Sequence, residues 1–161
     1  MIKIGVLSDT HGYLDRQILE IFKGVDHIIH AGDIGYPSLI LELEEIAPVT
    51  AVVGNNDEGT DYRETETVVL DGRKFMVYHQ LDPHSPPDKI KRRIIRENPD
   101  VVVFGHTHKK FCETIGQTLF FNPGYAGKPR FGHARSVAVL LCDNTGITAE
   151  FRELTGPPMG V

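Results

Sequence analysis

HIIHAGDIGYPSLILELEEIAPVTAVVGNND, residues 27–57, holds a complete strand–helix–strand unit with polar residues at both strand exits. The apolar run His27 to His30 is too short for a helix and ends in Ala31-Gly32-Asp33. Pro37 can open a helix, because its missing N–H falls where a first-turn donor has no partner. Leu39, Ile40, Leu43 and Ile46 recur at helical spacing, and Pro48 stops the helix before a strand over 49–53. Upstream, Ile2 to Leu7 reads as a strand and Leu14 to Phe22 as a helix. Two successive strand–helix crossovers imply a parallel sheet.

Downstream the pattern changes. Thr67 to Leu70 and Arg73 to Tyr78 flank Asp71-Gly72, a two-residue hairpin signal. A helix follows from Pro87 to Glu97, with Ile90, Ile94 and Ile95 toward one side, then a buried-type strand, Val101 to Phe104. From Phe111 on, four antiparallel strands are expected: 111–115, 118–121, 137–142 and 147–151. The result is a mixed, β-rich α/β domain spanning 1–161, with GPPMGV at 156–161 as a loose tail.

Composition narrows the function classes. A chain of 161 residues buries roughly two thirds of its unfolded-chain surface, so it needs no metal or disulfide merely to hold a core. A formal charge of −5 opposes a broad nucleic-acid surface; Lys89, Lys91, Arg92, Arg93 and Arg96 read as a solvated helix face. Cys112 and Cys142 have no CxxC partner and fit reduced core thiols of a cytoplasmic protein. The start, MIKIGVLSDTHG, lacks a signal-peptide apolar region, and no run of about 18 apolar residues spans a membrane.

Unusual polar groups stand just after the expected strands: Asp9 and His11, Asp33, Asn55 to Asp57, His79, and His106 with His108. Sites in open α/β sheets form at the carboxyl ends of strands, so five segments converge on one edge. Each fragment alone also reads as something ordinary: turn chemistry at Asp9-Thr10-His11, a helix cap at Asp33, a turn at Asn55-Asn56-Asp57, a solvated pair at His106 and His108. Five together, one a His-x-His at a strand exit, favour a metal site. Ser8 reads as a backbone-bonding residue, His30 as core or support, His27 as surface, and Asp57 as an orienting carboxylate.

In order, SDTHG at 8–12, GD at 32–33, GNND at 54–57, His79 at a strand end, GHTH at 105–108 and NPG at 122–124 resemble the calcineurin-like metallophosphoesterase superfamily, in its small prokaryotic phosphodiesterase branch. The resemblance implies a four-layer αββα sandwich with mixed sheets and a dinuclear centre. By position, Asp9, His11, Asp33 and His108 would hold one ion, and Asp33, Asn55, His79 and His106 the other, with Asp33 bridging. Two divalent transition-metal ions are implied, manganese first, with iron, cobalt, nickel or zinc suited to the same ligands. They would lower the pKa of bound water toward about 7, so that metal-bound hydroxide attacks a phosphodiester.

Three positions depart from the pattern. Many members of the superfamily carry a His where this chain has Asn56, a side chain that donates a hydrogen bond but no proton at neutral pH. The branch often shows His-Gly-His where this chain reads His79-Gln80-Leu81, which leaves His84 and His133 as imidazoles able to approach a leaving group or as ordinary loop residues. Tyr125 replaces a common small Ser and is expected to narrow the pocket. The expected activity is phosphodiester hydrolysis of a small or nucleotide-type substrate, with Asn56 catalytic as a hydrogen-bond donor. Alternatives are a phosphomonoesterase or nucleotide pyrophosphatase, or a scaffold similar to the phosphoesterase-fold subunit of the retromer coat.

Overall fold

A computed structural model describes residues 1–55, 57 and 61–156. Strand β1 (Ile2–Leu7), helix α1 (Arg16–Ile21), β2 (His27–His30), α2 (Pro37–Glu44) and β3 (Val49–Ala51) form the first half. The second half runs β4 (Thr65–Leu70), β5 (Arg73–Tyr78), α3 (Asp88–Glu97), β6 (Val101–Val103), β7 (Phe111–Ile115), β8 (Thr118–Asn122), β9 (Ser136–Asp143) and β10 (Gly146–Glu153).

Two five-stranded sheets result, ordered β10-β9-β1-β2-β3 and β4-β5-β6-β8-β7. Strands β1, β2 and β3 are parallel, as their crossovers require, and β9 joins antiparallel to β1. The four strands after Phe111 do not stay together. The β7–β8 hairpin lies in the second sheet, with β8 parallel to β6, whereas β9–β10 closes the first. The hairpin expected at Asp71-Gly72 is present, with both residues at positive φ, 51° and 78°.

Side-chain alternation builds the layers. In β2, Ile28 faces the layer of Leu39, Ile40 and Leu43 from α2 and Ile18 from α1, while Ile29 faces the second sheet. In β6, Val101 and Val103 meet Ile4, Val6 and Leu140 between the sheets, and Val102 turns outward onto Ile90 of α3. Helices on both outer faces give the four-layer αββα sandwich. Strand β6 is apolar on two sides, which explains the unbroken Val101-Val102-Val103-Phe104 run.

Several local expectations are corrected. Helix α1 is shorter than 14–22, because Asp15 caps it by accepting from Gln17 N. Strand β3 ends at Ala51, since Val53 N turns away to Arg63 O. Ile95 is 72% exposed, because it lies about 140° around the helix from buried Ile90. Cys142 is buried between the sheets, but Cys112 is exposed on edge strand β7. Asn56 and residues 157–161 of the expected tail lie outside the described residues. No helix among the described residues is long and apolar enough to cross a membrane.

Candidate metal centre

Short strands deliver the predicted residues to one edge, and backbone hydrogen bonds then lock their loops together. Asp9 N donates to Gly32 O at 3.0 Å, His11 N to Asp33 O at 2.9 Å and Gly12 N to Ile34 O at 2.8 Å. The loops after β1 and β2 therefore run side by side. A methyl on Gly35 would stand 2.1 Å from Gly12 N, so only glycine permits that approach. From the second sheet, Gly105 N donates to His79 O, and Asn122 Nδ2 donates to Gly105 O and Thr107 Oγ1. Asn122, of the NPG block, thus fastens the GHTH loop.

Five of the predicted ligands carry left-handed backbone: Asp9 (φ 59°), His11 (47°), Asp33 (55°), His106 (72°) and His108 (64°). Among the described residues only Asp71 and Asn98, in a hairpin turn and a helix cap, share that conformation without glycine. Each position costs about 1–2 kcal/mol, which the surrounding hydrogen bonds offset. Asp and His give no reliable signal of this geometry in a sequence.

The side chains converge. Asp33 Oδ2 lies 3.6 Å from His11 Nε2 and 3.3 Å from His79 Nε2, while Asp9 Oδ1 lies 3.5 Å from His108 Nε2, 3.7 Å from His79 Nε2 and 4.0 Å from His11 Nε2. His106 Nδ1 is 3.3 Å from Asn55 Oδ1. Two donors about 2.1 Å from one ion, at angles of about 90–110°, stand about 3.0–3.4 Å apart, so these separations match or slightly exceed that spacing. Asp9 Oδ1, His11 Nε2 and His79 Nε2 are buried with no hydrogen-bond partner among the described residues. Such unpartnered buried polar atoms are costly unless something binds them. The residues therefore fit divalent metal.

The tautomer of His79 and the neutrality of His108 favour the same reading, whereas the carboxylates draw His79 toward its charged form. His79 Nδ1 lies 2.7 Å from Ala31 O, an acceptor, so Nδ1 carries the proton and the Nε2 lone pair faces the carboxylates. Burial opposes charge on His79, but Asp33 and Asp9 outweigh it and raise its pKa. Burial, then His11, Arg130 and His133, lowers His108 and keeps it neutral, as a ligand must be. Asp9 is pushed up to about 6, chiefly by burial and against His79. Asp9 Oδ2 accepts from His106 N, leaving Oδ1 as the oxygen facing the imidazoles.

Supporting residues behave as their chemistry suggests. Buried His30 accepts from Gly32 N through Nδ1 and donates through Nε2 to Thr10 Oγ1; burial holds it neutral, near a pKa of about 3. Ser8 Oγ donates to Gly32 O. His27 is half-buried against Thr50. His84 is placed away from the cluster, 3.7 Å from Glu113 and against the Phe111 ring. Tyr125 does not project into the opening: it is buried, donates to Lys128 O, and stacks behind His108 at 4.7 Å between centroids.

Asp57 binds three backbone donors: Ile34 N at 3.0 Å and Gly54 N at 2.9 Å through Oδ2, and Gly35 N at 3.0 Å through Oδ1. It ties the Asp33 loop to the Asn55 loop. An amide there would turn one donor toward a backbone N–H, so Asp57→Asn is expected to weaken metal binding by about 10- to 100-fold, read by calorimetric titration of the metal-stripped protein. Full affinity in that variant would show that the loops hold themselves.

Known proteins bear on this geometry. The calcineurin-like phosphoesterase superfamily domain matches residues 2–145. A probable metallophosphoesterase of Methanothermobacter thermautotrophicus is 30% identical over 97% of this chain and 94% of its own. A phosphodiesterase of Methanocaldococcus jannaschii is 32% identical over 76% of this chain and 83% of its own. The solved structure of a Vps29 single mutant from Entamoeba histolytica, 19% identical, superposes with a TM-score of 0.73 over 96% of this chain and 100% of that one, a likeness of fold alone. The chain belongs to the calcineurin-like phosphoesterase superfamily, a metal-dependent family.

Proposed function

We propose that the protein is a cytoplasmic, single-domain phosphodiesterase working with two divalent transition-metal ions, manganese foremost. The observation that carries a metal-centred reading is the set of three buried polar atoms without a hydrogen-bond partner, Asp9 Oδ1, His11 Nε2 and His79 Nε2, on loops from both sheets. Asp9, His11, Asp33 and His108 would hold one ion, and Asp33, Asn55, His79 and His106 the other. Asp33 suits the shared position, because its Oδ2 faces one histidine of each group. When bound, the ions supply an activated water and a positive clamp on phosphoryl oxygens.

The rest of the chemistry belongs to the chain. Asp33 and Asp9 bring two negative charges, and Asn55 ligates without adding a third, so the loaded site keeps net positive charge for an anionic phosphoryl group. Ala31 O and Tyr125 hold His79 and His108 in orientation. Asn56, by its chemistry, would offer a hydrogen bond to the phosphoryl group but no proton to the departing oxygen. Good leaving groups need no such proton. A preference for aryl leaving groups follows from this, and the M. jannaschii relative's description as a phosphodiesterase supports the diester part of the reading alone.

The test compares an aryl phosphodiester with its matching monoester and with alkyl esters after metal loading. The wild-type protein is expected to favour the aryl diester, and Asn56→His to accelerate alkyl esters by about 10²-fold or more while changing aryl esters least. Alkyl phosphomonoesters cleaved as fast as aryl diesters would point instead to a phosphomonoesterase or nucleotide pyrophosphatase with another proton donor. The likeness to Vps29 keeps a scaffold in view; protein isolated without chelator and free of transition metal would favour it.

A further inference from the structure

The two sides of the candidate centre are unequal. A cavity of about 480 Å³ opens on the His108 side, lined by Thr107, His108, Lys109, Lys110, Gly132 and His133 among others. On the Asn55 and His79 side the cavity holds about 150 Å³, and Glu64 lines it. The larger volume falls in the range that encloses a small organic molecule, roughly 300–1,000 Å³. The smaller does not.

Charge follows the same division. The chain is formally −5, yet the larger cavity presents two lysines. Lys110 is engaged, with Nζ 3.3 Å from Glu153 Oε1 and 5.5 Å above the Phe151 ring. Exposed Lys109 has no ion pair among the described residues; its backbone N, by donating to Thr107 Oγ1, anchors the stem beside His108. Arg130 adds a further cation nearby, its guanidinium 5.4 Å from the Tyr125 ring that backs His108. Glu64, on the opposite cavity, is paired with Lys89 at 4.0 Å, and no described lysine or arginine lines that cavity, so the unpaired cation that can attract a charged substrate arm lies on the His108 side.

Resting on the phosphodiesterase reading, we infer that the substrate is an asymmetric phosphodiester whose larger arm carries a second anionic group, held on the His108 side by Lys109. The smaller, uncharged arm occupies the Asn55 and His79 side. Lys109 is a specificity determinant, separate from the metal ligands.

Two p-nitrophenyl alkyl phosphodiesters test this, one with an alkyl arm ending in a phosphonate and one ending in a hydroxyl. The wild-type protein is expected to prefer the phosphonate-ended arm in kcat/KM, and Lys109→Glu to reduce that preference by about tenfold, with Lys109→Arg restoring it. A preference that is absent in the wild type, or unchanged in Lys109→Glu, overturns the inference. Calorimetric binding of the phosphonate-ended alkyl phosphate to metal-loaded protein reads the subsite without turnover. Lys109-dependent binding with no diester hydrolysis would reject the phosphodiesterase reading and keep the subsite; equal binding by wild type and Lys109→Glu would reject the subsite whatever the turnover.

Discussion

Replacing Asp33 by alanine is expected to lower metal-dependent phosphoester hydrolysis by about 10³-fold or more, the scale of several kcal/mol of charge stabilisation. The carboxylate is buried, and its Oδ2 stands between His11 and His79, one from each proposed ligand group. Asp9 Oδ1 also faces both groups, with His108 at 3.5 Å, but it approaches His11 and His79 less closely than Asp33 does, at 4.0 and 3.7 Å. Alanine also strains the backbone, because φ at position 33 is 55°. Asp33→Asn separates the two effects: asparagine tolerates left-handed backbone but lacks the charge. Both variants should lose activity and bind less metal, measured by kcat/KM and by elemental analysis, with the alanine variant the less stable. Near wild-type turnover with full metal content in either would sink the proposed role of Asp33.

The second large effect lies away from the metal edge. Asp15 caps α1 through Oδ1 and accepts from Arg135 Nη2 at 2.7 Å through Oδ2, with both side chains buried. Arg135 Nε also donates to Gly127 O, and Ser136 N to Tyr125 O, so this pair sits where the chain returns from the ring behind His108. Asp15→Ala strands a buried guanidinium and is expected to cost about 3–5 kcal/mol, or about 10 °C in Tm for a chain this size. Asp15→Ala combined with Arg135→Leu should recover part of that loss, because the uncompensated charge is then gone.

The pH dependence of this pair has a definite sign. Burial acts to raise the Asp15 pKa, but Arg135 and the Gln17 N–H hold it below the usual carboxylate range. A depressed native pKa contributes stability above the unfolded value of about 3.9 and loses it as pH falls through the native value. The stability difference between wild type and Asp15→Asn, from denaturant titrations, should shrink below about pH 4. A difference independent of pH would mean that Asp15 matters as a cap and not as a charge.

Much of this was legible locally, because turn, helix and strand signals report the backbone's own preferences. Asp71-Gly72 specified its hairpin through two positive φ angles, and Pro37 opened α2, which ends at Glu44, before Ile46 and Pro48 are reached. Ile95 was misassigned because three apolar residues in one short helix do not by themselves say which two face the sheet. The exposure of Cys112 was hidden for a related reason: whether a strand lies at an edge depends on its neighbours.

By its own chemistry, then, the chain determined its strand–helix units, their polar exits and the ordered motifs of the superfamily. Tertiary structure alone decided which sheet each late strand joined, that Asp33 faces both His11 and His79, that five of the proposed ligands bend into left-handed backbone, and that the larger, more basic cavity lies beside His108. The physical reason is distance along the chain. Asp9 and His106 are 97 residues apart, and no local preference encodes their hydrogen bond; it exists only once two sheets have packed and their loops have met.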